Sequence, residues 1–283
     1  MKKFVTGFLM LLLATSLLLA GCGGSKSSTE STGQNTAPSA STDDSWKKVQ
    51  EKGEFVLGLD ESFPPMGFKD EKGNIVGFDI DIAQEVFKRL GVKLKLQPIN
   101  WDAKVQELDT GNIDCIWNGF TINDERKQNV LFTSPYMKNR QVIVVMSTSP
   151  YKTLADLTGK KLGLQAGSSA ADALDKSADF KGKLKQVVPF DDNMTALLDL
   201  EKGGLDAVLM DEIVARYYIT MKNKGYTVLD EALASEEYGV GFRKNDQELM
   251  KKVQETMEAM AKDGKMAEIS NKWFKKDITT IGK

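Results

Sequence analysis

One arginine stands in a segment whose residue types suit the binding of a carboxylate. Arg126 ends the run Asn118-Gly-Phe-Thr-Ile-Asn-Asp-Glu-Arg126, and arginine is scarce, with five among 38 basic residues. A guanidinium is planar and can bind a carboxylate through two parallel hydrogen bonds. Gly119 allows close approach of the backbone to a ligand, and Thr121 adds a hydroxyl. Residue types alone favour a capped surface helix with Arg126 exposed, so the chemistry depends on where the fold places these groups.

A second segment suits an anion at the start of a helix. The run Gln165-Ala-Gly-Ser168-Ser169 joins a predicted strand to a predicted helix. Small residues and free N–H groups at a helix N-terminus can bind a carboxylate. Neither GxxxxGK[ST] nor GxGxxG occurs in the chain, which argues against a phosphate-binding loop.

Two aspartates follow predicted strands and could accept bonds from an ammonium group. For Asp211 the local pattern favours a simple helix cap, and the alternative is an acceptor for an ammonium in a cleft. Asp60 follows another strand in the same way. Phe63 and Trp101 are candidate walls for an apolar ligand stem or a cationic head, and both also fit a core.

Composition excludes several classes of chemistry. The chain contains no histidine, which excludes Ser-His-Asp and Cys-His catalysis and His-ligated zinc. Its two cysteines, Cys22 and Cys115, are too few for a cysteine-based zinc or iron–sulfur site, and no cofactor or metal is predicted. The net charge of −2, with both signs interspersed, gives no footprint for nucleic acid. Cys115 lies in a predicted buried strand, where a free cysteine behaves as a small apolar residue.

The N-terminal 44 residues have the patterns of a targeting signal and a flexible tether. Residues 1–21 have basic residues followed by an apolar stretch of signal-peptide length. The sequence Leu19-Ala20-Gly21-Cys22 resembles the bacterial lipobox, in which cleavage leaves Cys22 as a lipid-bearing N-terminus. Residues 22–44 are rich in serine and threonine and predict a flexible tether. We expect a protein anchored by lipid on the extracytoplasmic face of the cell membrane. An uncleaved membrane helix and plain secretion are the alternatives.

The remaining sequence alternates β-rich runs with amphipathic stretches, which predicts an α/β fold. The predicted strands are Glu54–Leu59, Lys93–Pro98, Ile113–Trp117, Arg140–Met146, Lys161–Leu164, Lys185–Val188, Leu205–Met210 and the extended run Tyr238–Arg243. The predicted helices are Asp79–Leu90, Asp102–Thr110, Ser169–Lys176, Asn193–Lys202, Asp211–Lys224, Gln247–Lys262 and Met266–Phe274.

A short internal echo predicts two lobes of similar plan. Gly111-Asn-Ile-Asp114 and Gly203-Gly-Leu-Asp206 each follow a helix and precede an apolar strand. In open α/β sheets, ligands bind beyond the carboxyl ends of such strands. If the runs 140–146 and 238–243 both cross between the lobes, they form a two-stranded hinge beside a cleft. The predicted boundaries are 45–141 plus 239–283 for lobe 1 and 142–238 for lobe 2.

The order and spacing of the motifs resemble the polar amino-acid substrate-binding proteins of bacterial ABC importers. The resemblance covers roughly residues 50–276. It rests on Gly58-Leu-Asp60-Glu-Ser-Phe63-Pro-Pro65, Gly77-Phe-Asp79-Ile-Asp81, Asn118-Gly-Phe-Thr121-Ile-Asn-Asp-Glu-Arg126, Gln165-Ala-Gly-Ser168-Ser169, Asp206-Ala-Val-Leu-Met-Asp211-Glu, Tyr238-Gly-Val-Gly-Phe-Arg243 and Lys272-Trp-Phe274.

The resemblance implies an α/β, two-lobed periplasmic binding protein fold of type II, with two hinge strands and a ligand cleft between the lobes. It also implies a role for each site residue, matched by position. The α-carboxylate would be bound by Arg126, Ser168 and Ser169, and the α-ammonium by Asp211, the Gly119 carbonyl and the Thr121 hydroxyl. The side chain would lie between Phe63 and Trp101, with Asp60, Gln165, Asn118 and Glu61 at its distal end. Asp79 reads as a helix cap.

The implied function is capture of a free polar L-amino acid and its delivery to an ABC permease and ATPase, by a monomer. Asp60 slightly favours arginine or lysine, but the same position carries Asp in glutamine binders, so glutamine, ornithine and cystine stay open. An enzyme of the dehydratase type on the same fold would need a carboxylate as general acid in the cleft. The lack of an obvious lysine or histidine there argues against it. A sensor module is the other alternative.

Overall fold

The computed structural model describes residues 43–283. The predicted signal peptide 1–21, the lipidation site Cys22 and the tether as far as residue 42 lie outside the described residues. Asp43 is already tied to the fold, because its carboxylate accepts bonds from the backbone N–H groups of Ser45 (2.9 Å) and Glu248 (2.5 Å). Within this part of the chain, no helix is both long and apolar enough to cross a membrane.

Strands and helices alternate along most of the described chain. The strands are β1 Glu54–Leu59, β2 Ser62–Phe63, β3 Gly67–Lys69, β4 Ile75–Val76, β5 Lys93–Pro98, β6 Cys115–Ile116, β7 Val130–Phe132, β8 Met137–Met146, β9 Lys161–Gln165, β10 Gln186–Phe190, β11 Ala207–Asp211, β12 Tyr226–Tyr238 and β13 Gly241–Arg243. The helices are α1 Ser45–Lys52, α2 Phe78–Leu90, α3 Lys104–Asp109, α4 Asp124–Asn129, α5 Ser169–Lys176, α6 Ala178–Lys181, α7 Asn193–Glu201, α8 Glu212–Thr220, α9 Gln247–Lys262 and α10 Lys265–Phe274.

Two five-stranded sheets share one plan and form the cores of two lobes. The first has the order β5-β1-β6-β13-β7 and the second β10-β9-β11-β8-β12, and a small sheet β2-β3-β4 belongs to the first lobe. In each large sheet three neighbouring strands run parallel and the fourth runs antiparallel to them. The carboxyl ends of the parallel strands therefore lie along one edge of each sheet, where ligand sites form in α/β proteins.

The internal echo of the sequence corresponds to equivalent positions in the two sheets. Strands β6 and β11, which follow the two echoed segments, each occupy the third place in their sheet. The carboxylate of Asp114 accepts the N–H of Val56 at 2.8 Å, and that of Asp206 accepts the N–H of Lys161 at 2.9 Å. Both aspartates thus bond the start of the neighbouring parallel strand. The two lobes therefore share this aspartate-to-backbone hydrogen bond as well as the order of their strands.

The chain crosses between the sheets twice. It passes from β7 to β8 through residues 133–136 and returns from β12 to β13 through residues 239–240. The first crossing is bonded to the end of β12, where the second crossing begins, because the N–H of Tyr136 donates to the carbonyl of Tyr238 at 2.9 Å. The expectation that Arg140–Met146 crosses is wrong, since this run pairs with β11 and β12 inside the second sheet. The predicted crossing in Tyr238–Arg243 is confirmed.

Most predicted elements are present, and one long strand was missed. The bounds of Glu54–Leu59, Lys93–Pro98, Ser169–Lys176 and Gln247–Lys262 are confirmed. Strand β12 was not predicted, because its sequence carries Asp230, Glu231, Glu236 and Glu237 and lacks an apolar run. Its pairing with the strongly apolar β8 forms it instead. The predicted strand Ile113–Trp117 shortens to β6, and the predicted helix Asp211–Lys224 shortens to α8.

Asp79 does not cap its helix. Helix α2 begins at Phe78 after Gly77, and no side chain caps it. The Asp79 carboxylate is fully buried and one of its oxygens, Oδ2, accepts the N–H of Gly119 (2.7 Å) and the hydroxyl of Tyr136 (2.9 Å). Burial raises the pKa of Asp79 to about 7. The residue joins the first turn of α2 to the predicted site segment and to the first crossing.

We expect Asp79→Asn to change how stability depends on pH. From about pH 4 to about pH 7 the unfolded chain loses the Asp79 proton while the folded chain keeps it. The free energy of unfolding should therefore fall across this window by up to about 4 kcal/mol. Asparagine has no such proton, and its amide oxygen can accept the same two bonds. Urea unfolding measures the free energy of unfolding of both proteins at each pH. The value for the variant minus the value for wild type should rise with pH up to about pH 7 and be constant above it.

The control is Asp109→Asn, which makes the same change at an exposed position at the end of α3. This variant should follow the wild-type pH dependence. Parallel curves for wild-type protein and Asp79→Asn would contradict the assignment of a neutral, buried Asp79 below pH 7.

Candidate functional site

Arg126 is buried in the first lobe and has no carboxylate partner there. Asn123 caps α4 by accepting the N–H of Arg126 at 2.8 Å, which fixes the start of this helix. The guanidinium lies 4.7 Å from the centre of the Phe120 ring and donates to the Thr121 carbonyl (3.0 Å) and the Gly167 carbonyl (3.4 Å). Among residues 43–283 it forms no ion pair. Burial lowers the pKa of Arg126, so the fold disfavours this charge unless an anion compensates it.

The start of α5 lies across from this arginine in the second lobe. Ser168 caps α5 and donates through its hydroxyl to the Gln165 carbonyl at 2.7 Å. The hydroxyl of Ser169 lies 3.1 Å from that of Thr121, which joins the two lobes. The structure thus brings the two predicted carboxylate-binding segments together, and the expectation of an exposed Arg126 is wrong.

Asp211 ends β11 as a buried carboxylate and does not cap the helix that follows. No side-chain bond caps α8. One Asp211 oxygen, Oδ1, accepts the amide of Asn139 (2.7 Å) and the hydroxyl of Tyr238 (2.5 Å). Burial, reinforced by the nearby carboxylate of Glu236, raises the pKa of Asp211 to about 8. Of the two interpretations open at the sequence level, the local cap is wrong, and Asp211 is available to accept bonds from a cation.

The predicted distal residues form a chain of hydrogen bonds between the lobes. The amide of Gln165 donates to Asp60 Oδ2 at 2.8 Å, and the amide of Asn193 donates to Gln165 Oε1 at 3.3 Å. Asn118 accepts the backbone N–H of Asp60 at 3.1 Å, and burial raises the pKa of Asp60. Glu61 does not join them, because it forms an ion pair with Lys69 at 2.6 Å.

The two predicted aromatic walls are both buried, in different surroundings. Phe63 lies against Gly119, which adopts φ +57°, and a Cβ there would be 2.8 Å from Cε1 of Phe63. This contact and the positive φ explain why glycine occupies the position. Trp101 packs edge-on against Phe120 with ring centres 5.8 Å apart. Phe120 in turn lies beneath Arg126, so Trp101 supports the Arg126 guanidinium through that ring.

Two charged residues of this region escaped the sequence analysis. Lys104 is buried and donates to the carbonyls of Trp101 (3.0 Å) and Gly167 (2.8 Å), the second across the lobes. Burial, followed by the charge of Arg126, lowers the pKa of Lys104 to about 8. The expectation of no lysine at the cleft is therefore wrong. Glu236 on β12 accepts bonds from Asn139, Gln141 and Ser169. Lys104 is one of 33 lysines and lies in a predicted helix, so its sequence context did not distinguish it. Glu236 lies in a strand that the sequence analysis did not predict.

The lobes meet through polar groups from both sheets. Polar pairs that join them include Asp60 with Gln165, Thr121 with Ser169, Asn123 with Asp172, and Gly167 with both Lys104 and Arg126. Four of these five pairs include a predicted site residue or its immediate neighbour in sequence, and the pair of Asn123 with Asp172 does not. The arrangement can bind a small molecule that carries both a negative and a positive group, because unpaired groups of both signs are buried there.

Comparison with known proteins agrees with this geometry. The profile of the bacterial extracellular solute-binding proteins, family 3, matches residues 55–276. The L-cystine-binding protein TcyJ of Escherichia coli is 35% identical over 234 residues, which is 82% of this chain and 86% of TcyJ. An L-arginine-binding protein of Pseudomonas aeruginosa is 31% identical over 230 residues, covering 78% of this chain and 88% of that protein.

A solved structure supports the same relationship in three dimensions. An ABC uptake transporter substrate-binding protein from Streptococcus pneumoniae, with bound histidine, superposes with a TM-score of 0.81 at 41% identity. The match covers 85% of this chain and 99% of that one. These relatives are binding proteins and not enzymes. The chain belongs to the bacterial extracellular solute-binding proteins of family 3.

Proposed function

We propose that the protein binds a free polar L-amino acid between its lobes and delivers it to an ABC permease and its ATPase. The observation that carries the proposal is Arg126, a buried guanidinium with no acidic partner in the described chain. Its counterpart is Asp211, a buried carboxylate with no cationic partner in the same range. An amino acid supplies both missing charges, and each charge-assisted hydrogen bond contributes about 1.5–3 kcal/mol. Several such bonds are comparable with the roughly 8 kcal/mol of a micromolar Kd.

The positions of the predicted residues support a division of the site into two ends. Arg126 would bind the α-carboxylate, helped by Ser168 and Ser169 at the start of α5. Asp211 would bind the α-ammonium, with the Gly119 carbonyl and the Thr121 hydroxyl. Phe63 and Trp101 would flank the side chain. The relatives with bound or named histidine, arginine and cystine support an amino acid as the ligand.

We propose that the lobes close on the ligand, because the ligand-binding groups come from both lobes. Arg126 comes from the first sheet's lobe, and Ser168 and Asp211 come from the second. A ligand that contacts both lobes binds the closed state more tightly than the open one and shifts the population toward it. The contact of Lys104 with the Gly167 carbonyl forms only when the lobes meet, and it stabilises that state. A permease can then distinguish the loaded protein by its closed shape.

Asp60 supports a cationic side chain as the preferred class. Its carboxylate is buried, and its bond to Gln165 places an acceptor at the distal end of the site. Arginine and lysine carry a charge that would compensate it, whereas glutamine would bind through neutral hydrogen bonds. We therefore propose a cationic L-amino acid, with glutamine and cystine as the competing ligands.

The location of the protein rests on the lipobox. We propose that cleavage after Gly21 leaves Cys22 as an acylated N-terminus, which holds the binding domain on the extracytoplasmic face of the cell membrane. Two or more acyl chains are sufficient for stable anchoring. The tether that follows Cys22 would let the binding domain extend from the membrane to its permease. We propose that the protein acts as a monomer.

A ligand screen tests the proposed function. The purified protein, unfolded and refolded to remove bound ligand, is heated with each of the twenty amino acids, ornithine, citrulline and cystine. A ligand at 100 times its Kd adds about 2.7 kcal/mol, which raises the Tm by roughly 5–10 °C. Arg126→Ala should lose this shift for every amino acid, because all share the α-carboxylate. Arg89→Ala, which removes an arginine paired with Glu85 and Asp263, should keep it. An affinity of Arg126→Ala within about threefold of wild type would sink the assignment.

Asp60→Asn tests the ligand class. We expect the variant to bind arginine and lysine at least about tenfold more weakly, because one charge-assisted bond is lost, and to bind glutamine within a few-fold of wild type. Titration calorimetry measures both, with Asp109→Asn as the charge-matched control. Equal affinity of wild type and Asp60→Asn for arginine would show that Asp60 does not face a cationic group.

Cys22→Ser tests the anchor. The wild-type chain should take up labelled palmitate and sediment with membranes, whereas the variant should do neither. Cys115→Ser is the matched control, since that thiol is buried in β6 and should not affect labelling. Labelling that survives in Cys22→Ser would contradict the assigned lipidation site.

A further inference from the structure

Glu236 accepts hydrogen bonds from three side chains on two elements, beside the proposed ammonium end of the site. Its oxygen Oε1 accepts the side-chain amides of Asn139 and Gln141, both at 2.7 Å, and the hydroxyl of Ser169 at 3.3 Å. Asn139 and Gln141 lie on β8, and Ser169 is the first residue of α5. A half-buried glutamate with three donors on one oxygen is held in place rather than left to the solvent.

Glu236 and Asp211 are close neighbours. The same nitrogen, Nδ2 of Asn139, donates to Asp211 Oδ1 and to Glu236 Oε1, in both cases over 2.7 Å. The two carboxylate oxygens can therefore be no farther apart than twice this distance. Two carboxylates this close in a buried site do not both ionise readily, and one proton tends to be shared between them.

The surrounding groups do not neutralise this pair. Of the nearby cations, Arg126 acts on both carboxylates from α4, and it is shared with Asp172 on α5. Glu212, the residue after Asp211, is already paired with Arg140 and Arg216. Tyr238 donates its hydroxyl to Asp211 and carries no charge. The Oε1 atom of Gln141 is buried and has no donor within the described residues. Three acceptors thus surround one region, and an ammonium group has three N–H bonds.

We propose that Glu236 is a second ligand-binding carboxylate, which binds the α-ammonium together with Asp211, and that the ammonium displaces a proton shared by the two acids. The inference rests on the proposed function and adds a residue and a proton balance to it. The charges balance: the pair carries one proton and one negative charge before binding. It releases that proton to solvent as the ammonium arrives, and it is then fully ionised around one cation.

Proton release separates this role from a structural one. Burial and the neighbouring carboxylate raise the pKa of Asp211 to about 8, so most molecules hold a proton at Asp211 at pH 7. Binding at pH 7 should release close to one proton, and the affinity should rise with pH up to about 8. Titration calorimetry in phosphate and in Tris measures the release, because the two buffers differ in their heat of ionisation. The probe is the amino acid that gives the largest Tm shift in the screen above.

Glu236→Gln removes one carboxylate and keeps the shape of the side chain. The pKa of Asp211 then falls toward the value that burial alone sets, so fewer molecules hold the proton before the ligand arrives. We expect binding about tenfold weaker or more, and release of a clearly smaller fraction of a proton than in wild type. Glu237→Gln makes the same change in charge at the next residue of β12, which is exposed, and should match wild type in affinity and release.

The outcomes are distinguishable. Binding by wild type without proton release overturns the inference and leaves the proposed function intact. The same holds if Glu236→Gln binds with wild-type affinity and releases the same fraction of a proton. If Glu236→Gln weakens binding but releases the wild-type fraction of a proton, Glu236 only supports the fold of the site, and the inference is again overturned. If no amino acid of the screen binds, the proposed function fails and this inference fails with it.

Discussion

The site depends on burying charges of opposite sign without letting them neutralise each other. Removing an ion from water costs several kcal/mol unless a partner compensates it. Arg126 receives only two carbonyls and the face of Phe120, while Asp211 receives an amide and a hydroxyl. Neutral partners of this kind fix each group in position and leave its charge uncompensated. A ligand that carries both charges would compensate these buried groups, and this compensation would contribute to its binding free energy.

The repeated sheet plan makes this separation possible. Strands β6 and β11 hold equivalent places in their sheets, and each leads into a segment of the site at its carboxyl end. Gly119 lies five residues beyond Asp114, and Asp211 lies five residues beyond Asp206. Because the aspartates bond the neighbouring strands in the same way, the two segments leave their sheets at corresponding points. Each lobe therefore presents part of the proposed site, and neither lobe holds all of it.

The sequence predicted the parts of the molecule that local patterns encode. Apolar strands and capped helices were found in this way. Local patterns alone favoured an exposed Arg126 and a capping Asp211, and it was the family resemblance that assigned ligand-binding roles to Asp60, Arg126 and Asp211. Lys104 and Glu236 were missed for a different reason. Lys104 is buried where it donates to the Gly167 carbonyl of the other lobe, and Glu236 lies in a strand that pairs with β8. Asp79 was assigned to a local cap, since nothing in the sequence connects it with Gly119 and Tyr136. Long-range contacts decide all three.

The crossings and the ammonium end are built from the same pair of residues. Tyr136 and Tyr238 are bonded through their backbones, and each donates its hydroxyl to a buried aspartate, Asp79 in the first lobe and Asp211 in the second. Asp79 also bonds the N–H of Gly119, whose carbonyl belongs to the proposed ammonium site. A change in charge at Asp211 is therefore one hydrogen bond away from the second crossing and two from the first. The proposed ammonium site and the two crossings are therefore joined by a short, buried path of hydrogen bonds, and the proposed closure needs no action at a distance.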